Sequence, residues 1–318
     1  MKKLSLALVV LALVASIMGC GAPKQAFVSI ASGGTGGTYY PLAGAMATIW
    51  NEGVKGMNAS VQATGASVAN VNLLRDGKAD VIFVQNDIAY YAVNGLELFK
   101  DKAYPEMKGL AILYPETCQL IVLANSGIMN VAGLKGKKVA VGAAGSGVEA
   151  NARQIMAAGG VTYADIQVQY LSFNEAASNL KDGNIDAAFL TAGHPTAAVQ
   201  DISASKDINV VSLDEAIIAK LQSTYPFYTK ALIPAGTYKG VEKDSQTVAV
   251  QAMLAVSDKL DAATVEKMLQ TMYAPTGADR LSAAHAKAGA MITLKNARDG
   301  MSLPLHAGAD KYYGKADK

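Results

Sequence analysis

The chain has 318 residues, 51% apolar and 17% charged, with 28 Lys and Arg against 26 Asp and Glu. So even a balance leaves no cationic surplus for a phosphate-binding face, which argues against a nucleic-acid partner. The length exceeds what one hydrophobic core usually organises, so two domains of roughly 100 to 150 residues are expected.

Lys2 and Lys3 precede an apolar run from Leu4 to Ile17. At about 1.5 Å per residue this run reaches about 21 Å, short of the roughly 30 Å hydrocarbon core, and it reads as a secretory signal rather than a span. Ile17-Met18-Gly19-Cys20 then resembles the bacterial lipobox, with Cys20 as the residue that receives diacylglycerol. Residues 1–19 are thus expected to be a signal peptide and 20–26 a lipidated linker, with two or three acyl chains giving a stable anchor. Loss of Lys2 and Lys3 leaves 26 basic residues against 26 acidic ones. No later run approaches the length of a span, so a soluble body is expected, held to the extracytoplasmic face of the cell membrane. Cys118 then has no disulfide partner and is expected in the core.

From residue 27 the chain reads as alternating strands and helices. Strands are expected near Phe27–Ala31, Ala59–Ala63 and Asp80–Val84, and helices near Tyr39–Asn51 and Val68–Arg75. After Tyr114-Pro115 comes a continuous apolar strand, Gln119–Ala124, as expected when both sheet faces are covered. A strand at Lys138–Val141, helices near Ser146–Ala158 and Asn174–Leu180, and a strand at Asp186–Leu190 follow. Tyr225-Pro226 and Ile233-Pro234 bracket the expected return to the first lobe. Thr247–Ser257 reads as strand, Asp261–Ala274 as helix, and the tail to Lys318 as helix and loop packed outside.

Leu74-Arg75-Asp76-Gly77-Lys78-Ala79-Asp80-Val81-Ile82-Phe83 recurs 106 positions later as Leu180-Lys181-Asp182-Gly183-Asn184-Ile185-Asp186-Ala187-Ala188-Phe189. In each copy an apolar helix tail ends in Asp-Gly, where Gly takes the left-handed cap conformation, and a buried strand follows. Upstream of both copies lie a strand, a glycine-rich turn and a helix start. Two similar α/β lobes joined by a hinge are therefore expected, with lobe 1 from 27–113 plus about 234–318 and lobe 2 from 114–233. Prolines at both crossings would restrict how the hinge bends. Between two such lobes lies a cleft, the expected ligand site.

The loops at the strand ends carry the chemistry. Ser32-Gly33-Gly34-Thr35-Gly36-Gly37-Thr38-Tyr39 lies between a strand and a helix start, with Gly145-Ser146-Gly147-Val148-Glu149 as its counterpart. Glycines let the backbone approach a ligand, and a helix start directs free N–H groups at it. Ser146 is placed to cap its helix, and Glu149 in the first turn complements the helix dipole. Two opposed helix starts make an anion site without lysine or arginine. Thr64-Gly65-Ala66-Ser67 and Thr191-Ala192-Gly193-His194 are expected to line the same cleft, with Gln85, Asn86 and Asp87 holding a polar substituent.

These loops, with Ala63-Thr64-Gly65-Ala66-Ser67-Val68-Ala69-Asn70, Val84-Gln85-Asn86-Asp87, Tyr225-Pro226-Phe227-Tyr228, Ile233-Pro234-Ala235-Gly236-Thr237-Tyr238 and Leu303-Pro304-Leu305-His306-Ala307-Gly308-Ala309, resemble the TAXI family. Its members are the extracytoplasmic solute receptors of TRAP transporters. The resemblance spans the mature chain in order. It implies a two-lobed periplasmic-binding-protein fold that closes over one small organic acid, often glutamate, glutamine or a dicarboxylate, and passes it to TRAP membrane subunits. The ligand contacts it implies are Gly37, Thr38, Tyr39, Thr64, Gln85, Ser146, Gly147 and Thr191, with the backbone of Val148. Relatives often carry Thr at the position of Val148, so one hydroxyl is lost here.

Other chemistries find little support. Gly34-Thr35-Gly36-Gly37-Thr38-Tyr39 departs from the dinucleotide fingerprint at its last position, and no phosphate loop, H-E-x-x-H or G-x-S-x-G occurs. His194, His285 and His306 lie apart in sequence, so no metal, cofactor or catalytic residue is expected. A monomer is expected. The competing reading is a surface lipoprotein enzyme or adhesion protein on the same two-lobed frame.

Overall fold

The computed structural model describes residues 26–317, so the signal run, Cys20 and the linker up to residue 25 lie outside the described residues. Lobe 1 opens with β1 (Ala26–Ala31), α1 (Tyr39–Gly53), β2 (Met57–Gln62), α2 (Ser67–Arg75), β3 (Val81–Gln85) and α3 (Asn86–Asn94). A 17-residue strand, β4 (Met107–Leu123), then carries the chain out of lobe 1 without interruption. Lobe 2 contains β5 (Lys138–Ala140), α4 (Gly147–Ala158), β6 (Gln167–Gln169), α5 (Phe173–Lys181) and β7 (Ala187–Ala192), followed by α6 (Ala197–Ser205), β8 (Ile208–Val211), α7 (Glu215–Thr224) and β9 (Thr229–Ile233). The long strand β10 (Ser245–Ser257) returns to lobe 1, where α8 (Ala262–Met272), α9 (Pro275–Ala284), α10 (Ala286–Met291) and α11 (Ala307–Ala316) pack.

The strands form one mixed sheet in the order β2-β1-β3-β10-β4-β7-β5-β6, with β8 beside β4 and β9 beside β10. Its two ends mirror each other: β2-β1-β3 is parallel and bordered by antiparallel β10, and β6-β5-β7 is parallel and bordered by antiparallel β4. Helices cover both faces, so strand residues alternate between separate cores. Val81 and Phe83 join one lobe 1 cluster while Ile82 and Val84 join the other. Leu120 and Val122 face one lobe 2 cluster and Ile121 the other. The period-2 geometry of a strand buried on both sides explains why these runs are continuously apolar.

The sequence repeat reaches the level of single hydrogen bonds. Both helices end on an aspartate, Asp76 and Asp182, followed by a glycine in the left-handed region at φ 68° (Gly77) and 75° (Gly183). Four residues past the cap, Asp80 accepts from the Ser29 amide through Oδ2 at 2.8 Å, and Asp186 accepts from the Lys138 amide at 2.8 Å. Their own amides donate back to the same residues, Ser29 and Lys138, at 2.9 Å. Each lobe thus locks its first strand to the one after the repeat with the same two-bond clamp.

One boundary differs from the sequence reading. The chain does not return to lobe 1 at Ile233-Pro234, because β9 pairs antiparallel with the first half of β10, from Ser245↔Ile233 to Ala249↔Thr229. Pro234 opens the loop of that pair, and Tyr238 and Val241 pack in a lobe 2 core. The second crossing is β10 itself, whose residues from Ala252 on pair with β3. Only the first crossing carries a proline, Pro115, opposite Gln251. The expected outer tail also does more than cover the surface: Leu281, Ala309 and Tyr313 are part of a lobe 1 core.

Asp80→Ala and Asp186→Ala are each expected to lower stability by about 1.5 kcal/mol, the scale of a hydrogen bond to a charged group. Urea unfolding reads this as a lower midpoint at constant slope, and unchanged midpoints would refute the clamp.

Candidate functional site

The ends of β1, β2, β3, β5 and β7 meet at one interlobe gap, because the two sub-sheets point their C-terminal edges toward each other. This is the crevice in which open α/β sheets take ligands. All nine residues expected to touch ligand line it: Gly37, Thr38, Tyr39, Thr64, Gln85, Ser146, Gly147, Val148 and Thr191. With its open mouth the gap measures about 550 Å³.

The two glycine loops reach across to the opposite lobe. Thr38 Oγ1 donates to Gly193 O at 3.0 Å, and Ala198 N donates to Gly36 O at 3.1 Å. From the other side Ala69 N donates to Gly145 O at 3.0 Å. Because Thr38 directs its hydroxyl at Gly193, no side chain caps α1, so the amides of Tyr39 and Tyr40 in its first turn have no side-chain cap, and Pro41 carries no amide hydrogen. At α4, Ser146 Oγ accepts from Glu149 N at 3.2 Å, the expected cap. A Cβ at Gly147 would lie 1.8 Å from Gln85 Oε1, so a side chain there would displace the Gln85 amide.

The other expected contacts divide by role. Tyr39 is buried, and its hydroxyl donates to Glu116 Oε2 at 2.7 Å. Thr64 Oγ1 sits 2.6 Å from Asn70 Oδ1 and accepts from Ala66 N at 3.0 Å, so it shapes the loop before α2. Ala66 itself lies at φ 69°, a left-handed position that side chains rarely adopt, and it too lines the gap. Val148 buries its side chain in the lobe 2 core and presents only backbone. Thr191 Oγ1 lies 3.5 Å from the sulfur of Cys118, which is buried and free as expected.

Two expectations about the end of β3 are corrected. Asn86 turns away, donating to Gly300 O and accepting from Gln251 N. Asp87 lies behind the wall, where it accepts from Ile88 N at 2.8 Å and from Asn151 Nδ2 at 3.1 Å. Both residues open a helix, α3, where the sequence pattern suggests a strand end, so their side chains turn off the strand's alternation. His194 also misses the gap: its Nδ1 lies 3.1 Å from Thr117 Oγ1 and its Nε2 touches Lys287 of lobe 1. Contact between the lobes brings it near His285, distant in sequence, and burial with the Lys287 charge lowers its pKa to about 4. Among the described residues no group of three or more His, Cys, Asp or Glu is placed to hold a metal ion.

Glu116 and Phe173 line the gap although the sequence reading does not place them there. Glu116 follows Tyr114-Pro115, which reads as the first crossing between the lobes, yet it occupies mid-strand in β4 and is 2% exposed. Burial pushes its carboxyl up to about 8, the Tyr39 hydroxyl partly opposes this, and the charge of Asp87 adds to it. Asp87 rises to about 6 by burial, opposed by the Ile88 amide and Asn151. The one hint of Glu116 in the sequence is a lone acid within an apolar strand, Met107–Leu123, where an unpaired charge is costly.

The family signature matches residues 30–315. The chain belongs to the NMT1-like family. Its fold is similar to that of the alkanesulfonate-binding protein SsuA from Xanthomonas axonopodis pv. citri bound to MOPS, at 16% identity over 92% of this chain and 85% of that one, with a TM-score of 0.52. A putative L-cystine ABC transporter protein from Listeria monocytogenes aligns at 16% identity over 84% of this chain and 98% of that one, TM-score 0.52. A protein of Bordetella bronchiseptica RB50 aligns at 18% identity over 92% and 82%, TM-score 0.55. At these identities the likeness carries the fold: this NMT1-like protein has the two-lobed α/β architecture of periplasmic binding proteins.

The buried acid of this NMT1-like protein has a stability signature. Between the ordinary carboxyl value of 4.5 and its folded value of about 8, Glu116 keeps a proton in the native state that the unfolded chain has lost. Rising pH therefore favours unfolding across that window, and the effect ends above about 8. Melting of the ligand-free protein is expected to fall from pH 6.5 to 8, above the range in which Asp87 titrates, and the fall should be shallower in Glu116→Gln. Parallel curves for the two proteins would place the titration elsewhere.

Proposed function

We propose that this protein is an extracytoplasmic solute receptor, not an enzyme, that binds one small organic acid in the interlobe gap and releases it to a membrane transporter. The observation that carries this reading is the pair of helix starts, α1 and α4, facing one gap whose lining, among the described residues, contains no Lys, Arg or His. Peptide N–H groups and helix dipoles are then the attraction for a carboxylate. Each hydrogen bond to a charged group contributes about 1.5 to 3 kcal/mol. Micromolar affinity requires about 8 kcal/mol, so three to five donors plus closure are sufficient.

The acid class we propose is glutamate, glutamine or a dicarboxylate, and the partner a TRAP-type secondary transporter. Support for both is the ordered resemblance of the loops to TAXI receptors. The solved structures named above include a component of an ABC system, and their likeness bears on fold alone. Anchoring through Cys20 on the extracytoplasmic face belongs to the same proposal and rests on the lipobox-like run. Receptor behaviour rather than catalysis is favoured because Ser146, the hydroxyl at the start of α4, is engaged as a helix cap, and the lining among the described residues contains no His.

Thermal melting with a panel of amino acids and dicarboxylates tests the reading. Ligand at a hundred times its dissociation constant adds about 2.7 kcal/mol, so a rise of several degrees without turnover is expected. No shift with any acid, or accumulation of product, refutes it. Gly147→Ala should abolish the shift, since its Cβ would occupy the place of Gln85 Oε1. A full shift in that variant would move the site away from α4.

A further inference from the structure

Two strands bring acceptors to the lining beside its helix starts, Glu116 on β4 and Gln85 on β3. Glu116 brings a buried carboxyl into a lining without a cation among the described residues. Gln85 adds a second acceptor, and the direction of its amide follows from the bonds behind it. The Asp87 carboxylate accepts only, so Asn151 must turn Nδ2 toward it, at 3.1 Å. Asn151 Oδ1 then faces Gln85 and accepts from its Nε2 at 3.1 Å. The same Asn151 Nδ2 donates to Tyr228, whose hydroxyl donates to Gln154 Oε1 at 2.6 Å. Gln85 lines the gap and is 2% exposed, and its Oε1 is left buried beside Gly147 at the start of α4, without a donor among the described residues. A buried acceptor left unpaired is the feature a ligand donor satisfies.

We infer that Glu116 and Gln85 Oε1 receive a protonated amine of the solute, making Glu116 the residue that selects amine-bearing acids over amine-free ones. This rests on the receptor reading of the same gap. The solute's carboxylate lies at the starts of α1 and α4, and its ammonium lies against β3 and β4. A second carboxylate in that place would hold Glu116 protonated and would itself be buried without a counter-charge, with Asp87 behind it and no cation in the described lining. An ammonium instead supplies the counter-charge that a buried carboxylate needs.

The pairing has a proton balance. In the free protein burial keeps the Glu116 carboxyl protonated to about pH 8. Arrival of an ammonium ionises it, and the proton leaves to solvent. The titratable groups facing Glu116 are Tyr39 on α1, Asp87 on α3, and Tyr114 and Cys118 on its own strand. Burial raises both tyrosines well above their ordinary range and Cys118 to about 12, and Asp87 lies at about 6. Near pH 7 the released proton is therefore that of Glu116, and affinity for an amine-bearing acid rises with pH up to about 8.

Calorimetric titration at pH 7 in phosphate and in Tris, whose ionisation heats differ, tests this with the twenty L-amino acids and with glutarate, glutaramate and 2-oxoglutarate. The expected result is that an amino acid binds at least tenfold more tightly than its amine-free counterpart and releases close to one proton. Glu116→Gln is expected to abolish the release and weaken that amino acid at least tenfold, while leaving amine-free acids unweakened. Equal or tighter binding of an amine-free acid, or proton uptake on binding, overturns the inference while leaving the receptor reading intact. Failure of the wild type to bind any acid overturns both. The buffer comparison uses the wild type, so it decides between these outcomes even if the variant folds poorly.

Discussion

Two antiparallel strands running through both lobes are the constraint on which the rest of this molecule depends. Strand β4 enters lobe 2 alongside β7, and β10 comes back alongside β3, while the two pair with each other from Ser257↔Met107 to Ala249↔Thr117. That pairing turns the parallel sub-sheets so that their C-terminal edges look at one gap. Every helix that follows a strand on those edges must then start there, which concentrates free amides without any basic side chain. The ladder is irregular on the lobe 1 side of the crossing, with register shifts between Ala252 and Met253 and between Leu254 and Ala255. Such shifts bend and twist a strand pair.

The polar interior is organised from behind the gap rather than from within it. Asp87, Asn151, Gln85, Tyr228 and Gln154 form one chain of hydrogen bonds linking α3 and the end of β3 in lobe 1 with α4 and Tyr228 in lobe 2. A buried chain of this kind fixes a single arrangement, and it leaves Gln85 Oε1 as an unmet acceptor beside Gly147. Small residues make this packing possible. Gly147 leaves room for Gln85, and Gly36 leaves room for Asn174 of lobe 2, whose Oδ1 would lie 2.1 Å from a Cβ there. Glycine here serves lobe contact as much as backbone freedom.

Much of this is legible in the residues alone. The Asp-Gly repeat announces two similar lobes, since helix cap and buried strand are local chemistry, and the clamps at Asp80 and Asp186 extend that likeness. The glycine-rich turns name residues of the gap because strand-to-helix turns must fall at strand ends, and one topology gathers them. The lobe boundary is less legible. Pro234 reads as a crossing because proline interrupts strands, but hairpin loops use it equally well, and only pairing with β10 distinguishes the two.

What the sequence determined by itself is the set of short-range choices: period, caps, turns and the apolar runs of a doubly covered sheet. Only tertiary structure decided which polar groups face one another. Glu116 resembles part of a crossing between lobes because it follows Tyr114-Pro115, and its partner Tyr39 is 77 positions away. Asp87 resembles a ligand contact because it follows a strand end, yet α3 turns it behind the wall. Charge placement in a low-dielectric interior depends on neighbours that the chain brings together only when it folds, so electrostatic character is the last property to be read from a string of residues.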